Sequence, residues 1–147
     1  MISNSHKFCI APMMKKTDKH FRFLTRQFTK RSMLYTEMIH ANAILKGNVD
    51  RLLSFDECEH PVGLQLGGSD PKSLAEAAII GQEYGYDEIN LNVGCPSKKV
   101  KSGNFGVFLM KNVELLSKCV NEVKKSIDVP FSICLLYTSD AADDFTS

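Results

Sequence analysis

Residues 70–93, DPKSLAEAAIIGQEYGYDEINLNV, predict a helix followed at once by a strand. Asp70 is a typical helix N-cap, Pro71 suits the first helical position, and Gly85 ends the helix. The run from Glu88 to Val93 then alternates apolar and polar residues, which is typical of a β-strand. A helix leading directly into a strand indicates an α/β protein.

The same alternation of strand and helix extends in both directions from this unit. A helix that begins at Thr17 should use Phe21, Leu24 and Phe28 as its apolar face. A second helical stretch includes Ile44, Leu45, Leu52 and Leu53, and Gly47 within it weakens the expectation that it is continuous. Strands are predicted at Phe8 to Met14, Leu34 to Met38, Pro61 to Leu66, Glu88 to Val93 and Val129 to Ile133, with a further helix from Met110 to Ser126. Strict alternation predicts βαβ units and a parallel sheet.

The bulk composition is that of one globular domain. The chain has 147 residues, 44% hydrophobic and 24% charged, with a net charge of +1. A closed (β/α)₈ barrel usually needs about 250 residues, so the length allows only part of one. No apolar stretch is long enough for a signal peptide or a membrane span, and we expect a cytoplasmic protein with no membrane partner. Five cysteines without Cys-x-x-Cys spacing indicate free thiols and no metal site.

Asparagines occupy one face of the predicted fourth strand. Ile89, Leu91 and Val93 share the opposite face, because side chains alternate along a strand. The apolar face should meet the helices, which leaves Asn90 and Asn92 on the inner face of the sheet. A barrel normally fills that space with branched apolar side chains. Buried amides without partners cost about 1–3 kcal/mol each, so these two must bond one another, water or a ligand.

The third strand repeats this arrangement, since Gly63 and Gln65 lie on the face opposite its apolar residues. Gln65 is near the carboxyl end of the strand, where α/β barrels build their active sites. Gln65 and Asn92 therefore mark a candidate cavity mouth. The alternative is a private hydrogen-bond network that serves only the fold.

The segment Gly94-Cys95-Pro96-Ser97 directly follows the fourth strand. A lone cysteine is usually a small buried hydrophobic residue, and we interpret Cys9, Cys58 and Cys119 in that way. Cys95 differs because a glycine and a proline flank it on a βα loop, where reactive side chains are commonly presented. A thiol there could act as a general acid or as a nucleophile.

Three lysines, Lys98, Lys99 and Lys101, follow on the same loop. A charged turn in solvent is the simpler interpretation. Beside a site that receives RNA, the same cations would contact phosphate groups.

Several of these segments, taken in order, resemble the bacterial tRNA-dihydrouridine synthases. The tract through Ser102 to Gly106 is most similar to the A subgroup, which acts on D-loop uridines 20 and 20a. The resemblance extends from about Phe8 to about Ile133. The segments that carry it are Ala11-Pro12-Met13-Met14, Tyr35-Thr36-Glu37-Met38, Arg51 to Phe55, Gln65-Leu66-Gly67-Gly68-Ser69-Asp70-Pro71 and Gly85 to Ser97.

This resemblance implies the amino-terminal half of an FMN-binding (β/α)₈ TIM barrel, which a small tRNA-gripping helical domain follows in the family. Gln65 would hydrogen-bond the polar edge of the isoalloxazine, Asn92 would contact the substrate tRNA, and Cys95 would be the catalytic acid. NADPH would reduce the flavin, and the flavin would reduce uridine to 5,6-dihydrouridine. The residues implied to line the isoalloxazine are Pro12, Met13 and Met14.

The resemblance stops inside the fifth strand. The family continues with Lys-x-Arg-x-Gly, whose lysine binds flavin, whereas Cys134, Leu136 and Thr138 stand at those positions here. We therefore expect a partial barrel domain at residues 1–133 and a foreign tail at 134–147, arising from a frameshift or read-through. On this interpretation the chain itself is inactive.

Two other functions stay open from the residues alone. One is a different FMN barrel that reduces a free pyrimidine, as the dihydroorotate and dihydropyrimidine dehydrogenases do. The other is an inactive tRNA-binding fragment. No protein partner can be inferred from the sequence.

Overall fold

The computed structural model describes residues 7–96 and 105–135 and shows a parallel sheet with helices packed against it. Lys98, Lys99 and Lys101 lie outside the described residues, as does most of the predicted tail. The strands are β1 (Cys9–Ile10), β2 (Met33–Tyr35), β3 (Ile39–His40), β4 (Val62–Gly67), β5 (Glu88–Asn92) and β6 (Phe131–Cys134). The helices are α1 (Lys19–Phe28), α2 (Ala41–Lys46), α3 (Val49–Leu53), α4 (Pro71–Glu83) and α5 (Val113–Ser126), with 3₁₀ turns at Glu57–Glu59 and Gly106–Lys111.

The strand order follows the chain. The path runs β1-β2-β4-β5-β6, and every pair is parallel. Leu66 of β4 pairs with Ile39 of β3 and with Leu91 of β5, so the short β3 lies on the same side of β4 as β2. A sheet that adds each new strand at the same edge is singly wound, unlike the doubly wound sheets that reverse direction at a switch point. This topology is that of the amino-terminal half of a TIM barrel.

The predicted alternation of side chains is confirmed in β4 and β5. Leu64, Leu66, Ile89 and Leu91 are each at most 1% exposed and form one core with apolar residues of the helices. Most of this packing is made by α4. This helix begins as predicted, because its N-cap Asp70 accepts a hydrogen bond from the Ser73 N–H.

The N-cap of α1 differs from the prediction by one residue. Asp18, not Thr17, is the N-cap of α1 and accepts a hydrogen bond from the Phe21 N–H. The second helical stretch, whose continuity Gly47 made doubtful, is two helices, because this residue separates α2 from α3. A Cβ on Gly47 would lie 2.4 Å from the Ala43 carbonyl oxygen. Glycine, which has no Cβ, therefore allows the backbone to pass close to this oxygen at the end of α2.

The predicted apolar face of α1 was wrong. Arg22 and Arg26 are the buried residues of this helix, whereas Leu24 is 57% exposed and Phe28 is 82% exposed. No helix in residues 7–96 and 105–135 is long and apolar enough to cross a membrane.

Buried hydrogen bonds explain why the arginines turn inward. Arg22 Nε lies 2.6 Å from Glu59 Oε2, and both side chains are at most 5% exposed. The Glu59 side chain also accepts from the Asp56 N–H and so fixes the turn before β4. Arg26 donates to the carbonyl oxygens of Ser32, Glu59 and Pro61. The charged face of α1 is therefore the face that ties this helix to the start of β4.

We predict that Arg22→Met lowers the free energy of unfolding by about 3–5 kcal/mol, because it leaves the Glu59 carboxylate buried without its partner. Equilibrium urea unfolding measures the change. Arg31→Met, which removes the same charge from an exposed position, should cost less than about 0.5 kcal/mol. Equal losses in the two variants would show that the ion pair does not anchor α1.

Candidate active site

The structure brings most of the predicted site residues to the carboxyl edge of the sheet. Pro12 lies two residues beyond β1, Gln65 lies in the second half of β4, and Asn92 is the last residue of β5. Cys95 follows three residues later and is half-buried. Carboxyl ends of parallel strands meet at one edge, so their side chains converge there.

Three amides on the inner face of the sheet hydrogen-bond in a row. Asn92 Nδ2 donates to Gln65 Oε1 at 3.0 Å, and Gln65 Nε2 donates to Asn90 Oδ1 at 2.8 Å. All three side chains are at most 7% exposed. Period-two geometry predicted that Asn90 and Asn92 face inward with Gln65, and the contacts confirm it.

At the carboxyl edge of the sheet, this row of amides holds the loop that carries Cys95. Asn92 Oδ1 accepts a hydrogen bond from the Cys95 N–H at 3.0 Å. The Cys95 carbonyl oxygen accepts from the Val107 N–H at 3.3 Å, which ties the far side of the loop. Both backbone groups of Cys95 are thus restrained, and its position is set by the inner face of β5.

At its other end, away from the carboxyl edge of the sheet, the row of amides reaches the buried carboxyl group of Glu88. Asn90 Nδ2 donates to Ser132 Oγ at 2.7 Å, and Ser132 in turn donates to Glu88. The Tyr35 hydroxyl donates to the same Glu88 oxygen at 2.7 Å. The Tyr35 ring lies across Gly63, where a Cβ would come within 2.7 Å of ring atoms. Gly63 therefore makes the space that this tyrosine fills.

Glu88, Ser132 and Tyr35 were not among the predicted site residues. Two of them carried a usable signal, because Glu88 shares the strand face of Asn90 and Ser132 lies opposite Asn90 in β6. Tyr35 lies opposite Gly63 in β4, a pairing that only the register reveals. Of these signals, only the face that Glu88 shares with Asn90 could be read before the strand register was known.

Burial and hydrogen bonding shift two pKa values on this face. Burial, and then the hydrogen bond to Glu88, raise the pKa of the Tyr35 hydroxyl far above its ordinary value, so it stays a proton donor. Burial also raises the pKa of the Cys134 thiol, and a hydrogen bond from Gln65 opposes that shift.

A tight turn presents Met13 and Met14 beyond the end of β1. The buried Thr17 hydroxyl accepts from the Met13 N–H at 3.0 Å and lies 3.2 Å from the Met13 carbonyl oxygen. The Thr17 carbonyl oxygen then accepts from Arg22 at 2.8 Å, which links this turn to the buried ion pair. Met13 and Met14 are 44% and 54% exposed, so the turn offers them as apolar surface.

These residues fit the ring system of a flavin. The β1 and β4 strands are two positions apart in the sheet, which separates the methionine turn from Gln65 by about 10 Å. A flat aromatic group could therefore rest on Met13 and Met14 with its polar edge toward Gln65. Gln65 Oε1 can accept a second hydrogen bond besides that from Asn92, so it suits a ring N–H.

The structure offers no metal centre within the residues it describes. No three His, Cys, Asp or Glu side chains are grouped there as ligands. Of the three cysteines interpreted as buried, only Cys119 is; Cys9 and Cys58 are exposed.

Comparison with known proteins assigns the chain to a family. The model of the dihydrouridine synthase family matches residues 9–145, which is most of the chain. The match continues past Ile133, and the boundary predicted there stays a prediction.

Several curated relatives have the same name. A tRNA-dihydrouridine(20/20a) synthase of Synechocystis sp. is 54% identical over 131 residues, which are 89% of this chain and 39% of that protein. Those of Xanthomonas axonopodis pv. citri and Escherichia coli O6:H1 are 47% and 44% identical over 141 residues, or 96% of this chain and 42% of each relative. The chain thus spans about two fifths of the length of the relatives it matches.

We predict that Cys95 is alkylated well before Cys119. Burial, and then the nearby Asp70, raise the pKa of the Cys119 thiol to about 11. Because a raised pKa lowers the thiolate fraction, roughly one molecule in a thousand would carry a Cys119 thiolate at pH 8. Mass spectrometry of iodoacetamide-labelled peptides measures both sites, and labelling in urea serves as the control. Equal labelling of the two thiols in the folded chain would place Cys95 away from the open edge.

Proposed function

The chain belongs to the dihydrouridine synthase family, and we propose that it forms the flavin-facing and proton-donating half of an enzyme that reduces uridine to 5,6-dihydrouridine in the D-loop of tRNA. The observation that carries this proposal is the placement of Cys95. Its backbone is hydrogen-bonded to Asn92, which is itself bonded to Gln65, at the carboxyl edge of the sheet. The Cys95 thiol, the amides of Gln65 and Asn92, and the exposed side chains of Met13 and Met14 all lie toward this edge.

The cofactor would be FMN. Pro12, Met13 and Met14 would pack against its ring system, and Gln65 would accept a hydrogen bond from its polar edge. When bound and reduced by NADPH, the flavin supplies a hydride to C6 of the uracil. Its phosphate would be held mainly by loops after the seventh and eighth strands, as is common in TIM barrels.

The protein's own chemical step is proton delivery. The Cys95 thiol would hold the proton that is given to C5 of the uracil, so that hydride and proton together saturate the C5–C6 double bond. A side chain held in position beside the reacting atom can act as a general acid, and cysteine is one of the residue types that do so. Asn92 would contact the base and keep it in line with the thiol.

Substrate recognition would require the uridine to leave its stack. Enzymes that act on a base inside folded nucleic acid generally extrude the target nucleotide into a pocket. Lys98, Lys99 and Lys101, next to Cys95 in the sequence, would contact phosphates around that nucleotide. Such contacts weaken as salt rises, so affinity for tRNA should fall with ionic strength.

A chimera tests this function. It joins residues 1–133 of this chain to the part of the Synechocystis relative that continues the match. We expect it to bind FMN, oxidise NADPH and form dihydrouridine in unmodified tRNA. Its Cys95→Ala variant should still bind FMN and oxidise NADPH, while dihydrouridine formation falls about 100- to 10,000-fold, the usual contribution of a positioned acid. Mass spectrometry of digested tRNA measures the product.

Cys58→Ala is the matched control, because Cys58 is an exposed thiol outside this edge of the sheet. Its dihydrouridine yield should equal that of the unsubstituted chimera. An unchanged yield in Cys95→Ala would remove this thiol from the mechanism. Reduction of free uracil in preference to tRNA would instead indicate a small-molecule pyrimidine reductase.

A further inference from the structure

The hydrogen bonds on the inner face of the sheet all run in one direction. Cys95 N–H donates to Asn92, Asn92 donates to Gln65, and Gln65 donates to Asn90. Asn90 then donates to Ser132, and Ser132 donates to Glu88. We call this series the amide relay. It begins at the backbone of the proposed catalytic residue and ends at a carboxyl group that is 1% exposed.

The direction of the amide relay is set at its two ends, by the Cys95 N–H, which can only donate, and by Glu88, which accepts. An amide side chain can be turned over to exchange its donor for its acceptor, and a hydroxyl can rotate, so the middle of the series has no intrinsic direction. The Tyr35 hydroxyl, which also donates to Glu88, strengthens this end as an acceptor. The Ser132 hydroxyl must therefore point at Glu88, and each amide above it is oriented in turn.

Reversal of the relay would release the cysteine loop. If the amides turned over, Asn92 Nδ2 would face the Cys95 N–H, and two donors would oppose each other. The backbone bond of 3.0 Å that holds Cys95 would then be lost. A buried donor without an acceptor is unfavourable, so the loop would move away from the sheet.

We propose that Glu88 and Ser132 are positioning residues that orient the amide relay and thereby hold Cys95 against the inner face of the sheet. The proposal rests on the proposed role of Cys95 in proton delivery. It adds that the geometry of that step is set in part from the opposite end of β5, where Glu88 lies. Neither residue need contact the base or the cofactor.

The test uses the chimera and two variants that break the relay differently. Ser132→Ala removes the link between Asn90 and Glu88. Glu88→Gln replaces the carboxyl group that accepts from Ser132 with an amide that can instead donate to Ser132. Each should lower kcat for dihydrouridine formation about 10- to 100-fold, the usual effect of misplacing a reacting group. The KM for tRNA should change less than kcat, because the phosphate contacts are retained.

A second readout follows the hydrogen bond itself. Hydrogen exchange by mass spectrometry should show the Cys95 amide exchanging about tenfold faster in both variants, the ratio that corresponds to one lost hydrogen bond. Ser132→Thr keeps the hydroxyl and should match the unsubstituted chimera in both measurements. Val123→Ala is the control for lost stability, because Val123 is equally buried in the core and lies outside both the relay and the proposed flavin site. It should destabilise the fold without changing kcat or Cys95 exchange.

The outcomes separate this inference from the proposed function. Unchanged Cys95 exchange in Ser132→Ala and Glu88→Gln would overturn it, as would an equal loss of kcat in Ser132→Thr and Ser132→Ala. So would a Val123→Ala variant that behaves like Glu88→Gln, since general destabilisation would then explain the effect. If Cys95→Ala alone left the yield unchanged, the proposed function would fail while the exchange data still decided the relay.

Discussion

The requirement that buried polar groups find hydrogen-bond partners governs this structure. The inner face of the sheet carries amides, a hydroxyl and a carboxyl group in place of branched apolar residues, and they satisfy one another across β4, β5 and β6. The outer face of the same strands is apolar and packs on the helices. One alternating pattern therefore makes a core on one side and a polar surface on the other.

The polar surface is connected to the surrounding fold at both ends. At the carboxyl edge of the sheet it holds the backbone of Cys95. At the opposite end it reaches Tyr35, for which Gly63 leaves space. A separate buried ion pair between Arg22 and Glu59 anchors α1 and, through Thr17, the turn that presents Met13 and Met14. Two independent sets of buried contacts thus position the two sides of the proposed flavin site.

The sequence pattern was sufficient to predict a structural feature when the residues that determine it lie within a few positions of one another in the chain. The N-cap at Asp70, the break at Gly47 and the inward Asn90 and Asn92 all follow from spacing and residue type. The face of α1 could not be predicted in this way, because Arg22 is buried by a partner 37 positions away in the chain. For the same reason the site prediction included Gln65 and Asn92 but omitted Glu88, whose role depends on strand register. The tRNA contacts proposed for Lys98, Lys99 and Lys101 fall outside the described residues and stay predictions.

The central claim is that the carboxyl edge of this half-barrel holds the flavin and directs Cys95 at the base beside it. A crystal structure of the chimera with FMN tests it most directly. The claim predicts electron density for the isoalloxazine ring against Met13 and Met14, with its polar edge within hydrogen-bonding distance of Gln65 and with the Cys95 thiol facing the open side of the ring. Density for FMN away from this edge, or a Cys95 side chain turned from the ring, would contradict it.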